Sequence, residues 1–542
     1  MSKKDFLIIS AIFFVSLSIF SIGIGKVHLF DWDEINFAES AREMIVTNDF
    51  ITVQVDFKPF WEKPPFFIWL QAFSMKIFGI NEFAARFPNA FFGALTLIVL
   101  FLIGKKLKNQ KFGLLWVAVY FSSVLTFFYA KSGIIDPIFN LFIFLGLYFF
   151  INYLNTTQKV LNSFLSGLFI GMAVLTKGPV GFLLFFLSIA IFSIIKKFKI
   201  NIKIFHIFLF LLTFSFVGGF WFILQIINGN YNIIVDFIVY QIDLFSNRVA
   251  GHGGFLLYHF VVLFIGLFPA IIFALPELVR LKNTSDSNME FALWMKILFW
   301  TVLILFTIVK TKIVHYSSMC YLPATYIATL VVYKILFEDF KFKNIFNVLL
   351  IVDAFILGLA VVALPLFAKY HNFFIEKNLI KDKVVIDALN AQANWSWFIY
   401  IIGFVVICGT IYGVWAINKN LKFRAISTIF AVSSFFTIST MFFTVANIEK
   451  YSQNAVIDFY KNHSDNKEHI AILGFKSYAQ LFYTNKLPPK NNYSLDSLVN
   501  GNIDKPALFV VKLNKLNSYL ETYPNLEIIY KKNGFVFLKR KS

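Results

Sequence analysis

The chain has 542 residues, of which 58% are hydrophobic and 15% charged, and a mean hydropathy of +0.72. Those values exclude a water-soluble globular protein, since apolar runs of roughly 18 to 22 residues recur along most of the chain and match the length needed to cross about 30 Å of hydrocarbon. The net charge of +19 would suggest a nucleic-acid partner in a soluble domain, but here the lysines sit in short connections between apolar runs, so no nucleic acid is expected.

In chain order, Lys3-Lys4 precede an apolar run read as a first anchor helix and not as a removed signal peptide. About thirteen spans follow the pattern, near 6–25, 83–103, 113–130, 134–153, 161–176, 179–196, 204–225, 255–275, 292–309, 314–335, 344–368, 395–417 and 424–446. The basic clusters Lys105 to Lys108, Lys196 to Lys199, Arg280-Leu281-Lys282, Lys341-Phe342-Lys343 and Lys419 to Arg424 alternate with polar connections. The positive-inside rule therefore puts the clusters and the N-terminus in the cytoplasm, and an odd span count puts the C-terminus outside. Cys320 and Cys408 both lie in apolar runs and are expected to be packing residues.

Two external segments are longer than simple loops. Residues 26–82 carry an amphipathic pattern from Asp33 to Met44, then Phe60 to Trp69 with Pro64-Pro65 at an expected helix start ringed by aromatics. Residues 228–254 end in Gly251-His252-Gly253-Gly254. Beyond Ala446 the chain turns polar. Short strands are expected at 470–475 and 507–511, helices at 477–483 and 516–523, and a hairpin at Asn533-Gly534, which makes 447–542 a small extramembrane α/β domain beside the membrane domain 1–446.

Charges at a lipid boundary are costly, and those that persist there are functional candidates. They fall on the non-cytoplasmic side: Asp33, Glu34, Arg42, Glu62 and Lys63 in the first external segment, Asp136 and Lys177 in short connections, Arg248 and His252 in the second external segment, and Lys312, His315 and Tyr316 in Lys312-Ile313-Val314-His315-Tyr316. Each has a simpler reading. Asp33 and Asp136 could cap helices, Lys63, Lys177 and Lys312 could reach out from the interface, and the histidines could be structural. Arg248 is one of only six arginines among 49 basic residues, and a guanidinium kept in so lysine-rich a chain suits fork-like anion binding. Together the acids and cations fit an anionic phosphate on a lipid tail, with cations holding the phosphate and a carboxylate taking the proton of an incoming hydroxyl.

Asp33-Glu34-Ile35-Asn36-Phe37-Ala38-Glu39 with Ala41 to Met44, Glu62-Lys63-Pro64-Pro65, Asn81 to Pro88, Asp136-Pro137, Thr176 to Pro179 and Lys312 to Tyr316 together resemble the polyprenyl-phosphate-dependent GT-C glycosyltransferases. Within these the chain is most similar to the aminoarabinose lipid A transferase and protein mannosyltransferase group, over residues 5 to 335. The resemblance implies a polytopic α-helical GT-C-type fold in a bacterial inner membrane, with the C-terminal domain in the periplasm. It also implies transfer of a sugar, with inversion, from a polyprenyl-phosphate donor to a lipid A-like, glycan or protein acceptor. It makes Asp33 the catalytic base and gives Asp136 a supporting role. Lys63 and Arg248, with Lys177 and Lys312, become donor-phosphate contacts; Glu34, Arg42, His315 and Tyr316 become substrate contacts; and Glu62 with His252 becomes a candidate divalent-metal pair. The chain departs from the group at Asn36-Phe37, where those enzymes commonly carry Arg-Tyr. Two other functions fit the composition: a glycan polymerase or ligase using a pyrophosphate-linked donor, and a transporter or flippase, whose charges would gather near the bilayer midplane in two related halves.

Overall fold

The computed structural model describes residues 2–246, 253–279, 287–491 and 493–541. Among them, ten helices are long and apolar enough to cross a membrane, or eleven if Gln110–Ser122 and Val124–Ala130, bent by 79° at Ser123, count as one span. The other two of the thirteen expected spans are helical but different in form. Val180–Ile195 is a shorter apolar helix, and the segment expected at 255–275 is broken into Tyr258–Gly266 and Ala270–Leu278. Pro269 supplies the reason for that break, because it has no N–H to donate and disfavours helical geometry in the residue before it.

Local sequence explains the helix ends. Asn81 accepts from the Ala84 amide to cap Glu82–Leu107, which carries Glu82 in its first turn and Lys105 and Lys106 in its last, both signs matching the helix dipole. Close packing comes from small residues. Lys159–Lys177 lies against Ile204–Ile227, and a Cβ on Gly167 would stand 2.2 Å from Thr213 Oγ1 and 2.5 Å from the Phe210 carbonyl.

At one end of the helices the lysine clusters tie neighbours together. Lys105 pairs with Asp5, Lys108 with Glu338 at 2.5 Å, Lys334 with Glu277 at 2.9 Å and Lys422 with Asp339 at 2.5 Å. The Arg280-Leu281-Lys282 cluster lies outside the described residues. Cys320 is buried as expected, whereas Cys408 is exposed on its helix.

At the opposite end lie the extramembrane pieces. Asp33–Thr47 and Phe66–Phe78 are the two helices expected in the first external segment, the second starting directly after Pro65. The second external segment, for which the sequence pattern announces no helix, contains one of 16 residues, Tyr231–Ser246. The C-terminal domain is a four-stranded mixed sheet in the order His469–Leu473, Ala507–Lys512, Phe535–Arg540, Leu526–Lys532, the first pair parallel and the others antiparallel. Ala507–Lys512 is buried on both faces, as its unbroken apolar run requires. The last two strands turn at Asn533-Gly534, both at positive φ.

This domain clasps the segment leading into Asp33. The Leu29 amide donates to Tyr483 Oη at 2.7 Å, Gln453 Nε2 donates to the Leu29 carbonyl at 2.9 Å, His28 Nδ1 lies 2.5 Å from Glu449, and Lys486 pairs with Asp56.

Candidate active site

Asp33 is the first residue of its helix. Trp32 occupies the capping position and makes no side-chain bond there, so the Asp33 carboxylate is not spent on a cap. Its Oδ2 lies 3.5 Å from His315 Nε2. His315 sits on the short 3-10 turn Val314–Cys320, and the same Nε2 is 3.9 Å from Asp136 Oδ2. Asp136 opens the Asp136–Asn155 helix ahead of Pro137, and its Oδ1 receives Lys177 Nζ at 2.6 Å. Lys177 is the last residue of Lys159–Lys177; the chain turns away at Gly178, whose φ of +110° a side chain would resist. Two carboxylates, an imidazole and an ammonium thus meet from four separate elements.

These groups line a cavity of about 470 Å³, together with Glu62, Lys63 and Tyr316. Lys63 Nζ donates to the Glu62 carbonyl at 3.2 Å and stands 5.2 Å from the Tyr240 ring. Burial pushes its ammonium below the ordinary lysine range; Glu62 opposes that, Lys177 adds to it, and Asp33 and Asp136 also oppose it. Tyr240 Oη donates to Glu62 Oε2 at 3.2 Å. Phe60, Phe128, Phe139, Leu184, Phe306 and Val309 form the apolar part of the wall. A charged centre against an apolar wall suits an amphipathic ligand with a small anionic head.

Beside this cluster stands a second one of opposite character. Arg86 spends all five N–H donors: Nε on Glu34 Oε1 at 3.0 Å, Nη1 on the Ile24 and Val27 carbonyls at 2.6 Å each, and Nη2 on the His28 carbonyl at 2.8 Å and Glu34 Oε2 at 2.7 Å. Glu34 also accepts the amides of Phe30 at 2.9 Å and Gly133 at 2.5 Å. Arg86 holds the Glu34 carboxyl below the usual range against the cost of burial. This hub fixes the end of the first span, the helix carrying Asp33 and the connection leading to Asp136.

Several expected contacts are corrected by this geometry. Glu34 borders the cavity, but its oxygens are filled by Arg86 and two amides. Arg42 is 1% exposed and grips Glu39 with bonds of 2.7 and 2.6 Å, away from the cavity lining. Lys312 donates to the carbonyls of Phe306, Thr307 and Val309 at 2.6 to 2.8 Å, closing the end of the preceding helix, so no ammonium proton is left for a phosphate. Arg248 and His252 lie outside the described residues. Among the described residues no three His, Cys, Asp or Glu side chains gather as a ligand set; Glu62 accepts from the Tyr240 phenol on its carboxylate and from the Gln241 side-chain amide on its backbone carbonyl.

Three lining residues were not singled out from sequence. Asn140, one turn after Asp136, donates to Ser318 Oγ at 2.8 Å, a position that i, i+4 spacing would have flagged. Tyr240 and Gln241 reach Glu62 from the Tyr231–Ser246 helix of the second external segment.

Residues 62–220 match the sequence model of a family described as dolichyl-phosphate-mannose-protein mannosyltransferase. An undecaprenyl phosphate-alpha-4-amino-4-deoxy-L-arabinose arabinosyl transferase of Wigglesworthia glossinidia brevipalpis is 29% identical over 306 residues, 54% of this chain and 52% of that protein. Its counterpart in Shewanella sediminis is 27% identical over 327 residues, 59% of each. The matched region thus spans little more than half the length of these curated relatives. The crystal structure of ArnT from Cupriavidus metallidurans bound to undecaprenyl phosphate superposes with a TM-score of 0.76 at 16% identity, covering 99% of this chain and 98% of that one. The chain therefore has that multi-pass helical fold with its small terminal sheet domain, and the resemblance to the polyprenyl-phosphate-dependent GT-C glycosyltransferases is borne out.

Proposed function

We propose that this chain is a membrane glycosyltransferase that moves one sugar from a polyprenyl-phosphate donor to a lipid A-like, glycan or protein acceptor on the non-cytoplasmic face of a bacterial inner membrane. One observation carries the reading: Asp33, Lys63, Asp136, Lys177 and His315, scattered over 283 positions of sequence, line a single cavity with an apolar wall. The donor named for the two relatives and the undecaprenyl phosphate bound by the structural neighbour support the same chemistry.

In this reading the donor phosphate lies against Lys63 and Lys177, and its tail leaves along the aromatic wall. As the bond between the anomeric carbon and the phosphate oxygen breaks, its electron pair passes to that oxygen, and the two ammonium groups stabilise the charge that grows there. The acceptor oxygen attacks from the opposite face, which inverts the anomeric centre, and its proton passes to Asp33 Oδ2. His315, between Asp33 and Asp136, orients both carboxylates, while Lys177 holds Asp136 in place through its 2.6 Å bond. Asn36 lines the same cavity with Oδ1 unpartnered, and is the group we assign to contact the transferred pentose or hexose. A hydroxyl acceptor needs the base; a phosphate monoester acceptor, already ionised near neutral pH, does not.

The test uses purified protein in detergent, where no compartments exist, with a radiolabelled polyprenyl-phosphate sugar and candidate acceptors. Label appearing on an acceptor with release of polyprenyl phosphate supports transfer. Donor that binds and remains intact with every acceptor, while crossing a bilayer in vesicles, would replace the enzyme with a flippase.

A further inference from the structure

We propose a second ligand site, at the opposite end of the helices, that takes the phosphate headgroup of an anionic phospholipid. A cavity of about 530 Å³ opens there between helix ends, lined by Lys159, Lys196, Lys199, Lys203, His206 and Glu290. Four ammonium groups therefore face one carboxylate.

The floor of this cavity is built from buried polar groups. Tyr153 Oη and His206 Nδ1 are 3.1 Å apart, the Lys203 amide donates to the same phenol oxygen at 3.4 Å, and Ser163 Oγ donates to the His206 carbonyl at 2.5 Å. Tyr153 and His206 are 4% and 8% exposed. Lys159 directs its ammonium onto the Tyr153 and Leu154 carbonyls, which leaves one of its three protons without a hydrogen-bond acceptor. Lys196 stands 3.8 Å from Glu290, too far for a hydrogen bond and close enough to hold the carboxylate partly neutralised. Lys199 and Lys203 are exposed at the rim. Four lysines of the same end, Lys105, Lys108, Lys334 and Lys422, are instead each paired with a carboxylate.

The surroundings select a lipid over a soluble anion. Leu154, Phe192 and Ile200 share the lining with the lysines. Directly after Lys203 the Ile204–Ile227 helix begins, and Ile204, Phe208 and Leu211, at i, i+4 and i+7, are 80%, 61% and 45% exposed. With Phe205 and Leu212 they belong to a broad exposed apolar face of this span that begins at the cavity, where an acyl chain below a bound headgroup would lie. The positive-inside rule assigns this end to the cytoplasm, where basic pockets between helices meet anionic headgroups. Nothing in the proposed transfer chemistry uses these residues.

The test is native mass spectrometry of the full chain in detergent, titrated separately with phosphatidylglycerol, phosphatidylcholine and inorganic phosphate. Three proteins are compared: the native chain, Lys199→Gln with Lys203→Gln, and a control, Lys341→Gln with Lys419→Gln, which removes the same charge from exposed positions of the same end outside the cavity. We expect one phosphatidylglycerol retained per native chain, phosphatidylcholine not retained, and affinity in the cavity variant reduced roughly thirtyfold while the control changes less than about twofold. An unchanged unfolding temperature without lipid shows that the cavity variant is folded. Equal losses in the two variants would reduce the effect to diffuse surface charge and overturn the site. Retention of inorganic phosphate with no preference for phosphatidylglycerol would overturn the lipid as its occupant.

Discussion

Asp33 and Glu34 are adjacent in the chain and open the same helix, yet they belong to opposite kinds of environment. Around Glu34 and Arg86 every donor has an acceptor and every acceptor a donor, so nothing is left for a substrate. Around Asp33 the nearest basic group is the His315 imidazole at 3.5 Å, and the carboxylate opens on a cavity. The difference teaches that saturation, not charge or burial, separates the groups that hold this molecule together from those able to meet a ligand. Lys312 with its three carbonyls falls on the saturated side, and Arg42 is buried in its pair with Glu39 away from the cavity; Lys63, Lys177 and His315 fall with Asp33.

Substitutions that break the contrast should separate stability from turnover. The largest effect is expected for Arg86→Met, which strands the buried Glu34 carboxylate and three carbonyls. A loss of about 3–5 kcal/mol should appear as unfolded or aggregated protein on size exclusion in detergent, and a fully folded variant would contradict the hub. Lys63→Ala should raise the donor KM by roughly 10- to 100-fold with little change in unfolding temperature. Because burial depresses the Lys63 ammonium, the donor affinity it supplies is complete below that lowered pKa and is lost as pH rises through it, earlier than for an ordinary lysine. Lys63→Arg, which stays charged, should move that alkaline loss to higher pH; an unchanged profile would assign it to another group. Lys312→Met should do the reverse of Lys63→Ala, lowering stability by about 1–3 kcal/mol through three orphaned carbonyls while leaving donor KM within about twofold. The smallest effect is expected for Tyr483→Phe, which unpairs the Leu29 amide and loosens the clasp on Asp33. About 1 kcal/mol of stability and a fall of a few fold in kcat are predicted, and an unchanged kcat would mean the C-terminal domain does not tune the site.

Much of this arrangement was legible in the residues themselves. Span-length apolar runs located the ten or eleven described helices able to cross a membrane, and the wish to keep charge out of hydrocarbon collected Asp33, Lys63, Asp136, Lys177 and His315 at one end. The period of hydrophobicity does not report where a helix breaks, so the interruption before Pro269 and the bend at Ser123 were merged into continuous spans. The Tyr231–Ser246 helix was hidden because its glycines and asparagines at the margins read as loop. Hydrogen-bond accounting was the least legible part. Nothing in Lys312-Ile313-Val314-His315-Tyr316 says that the lysine folds back onto the helix before it while the histidine points into the cavity. Arg42 with Glu39, at i, i+3 on one helix, could have been read as a local pair.

The central claim, that Asp33 is the open base and Glu34 the closed support, is tested most directly by measuring turnover and unfolding temperature side by side for Asp33→Asn and Glu34→Gln with a hydroxyl acceptor. The account predicts that Asp33→Asn lowers kcat by about 10²- to 10⁴-fold with native stability and donor binding, and that Glu34→Gln lowers the unfolding temperature first. Near-native turnover by a folded Asp33→Asn protein would contradict it.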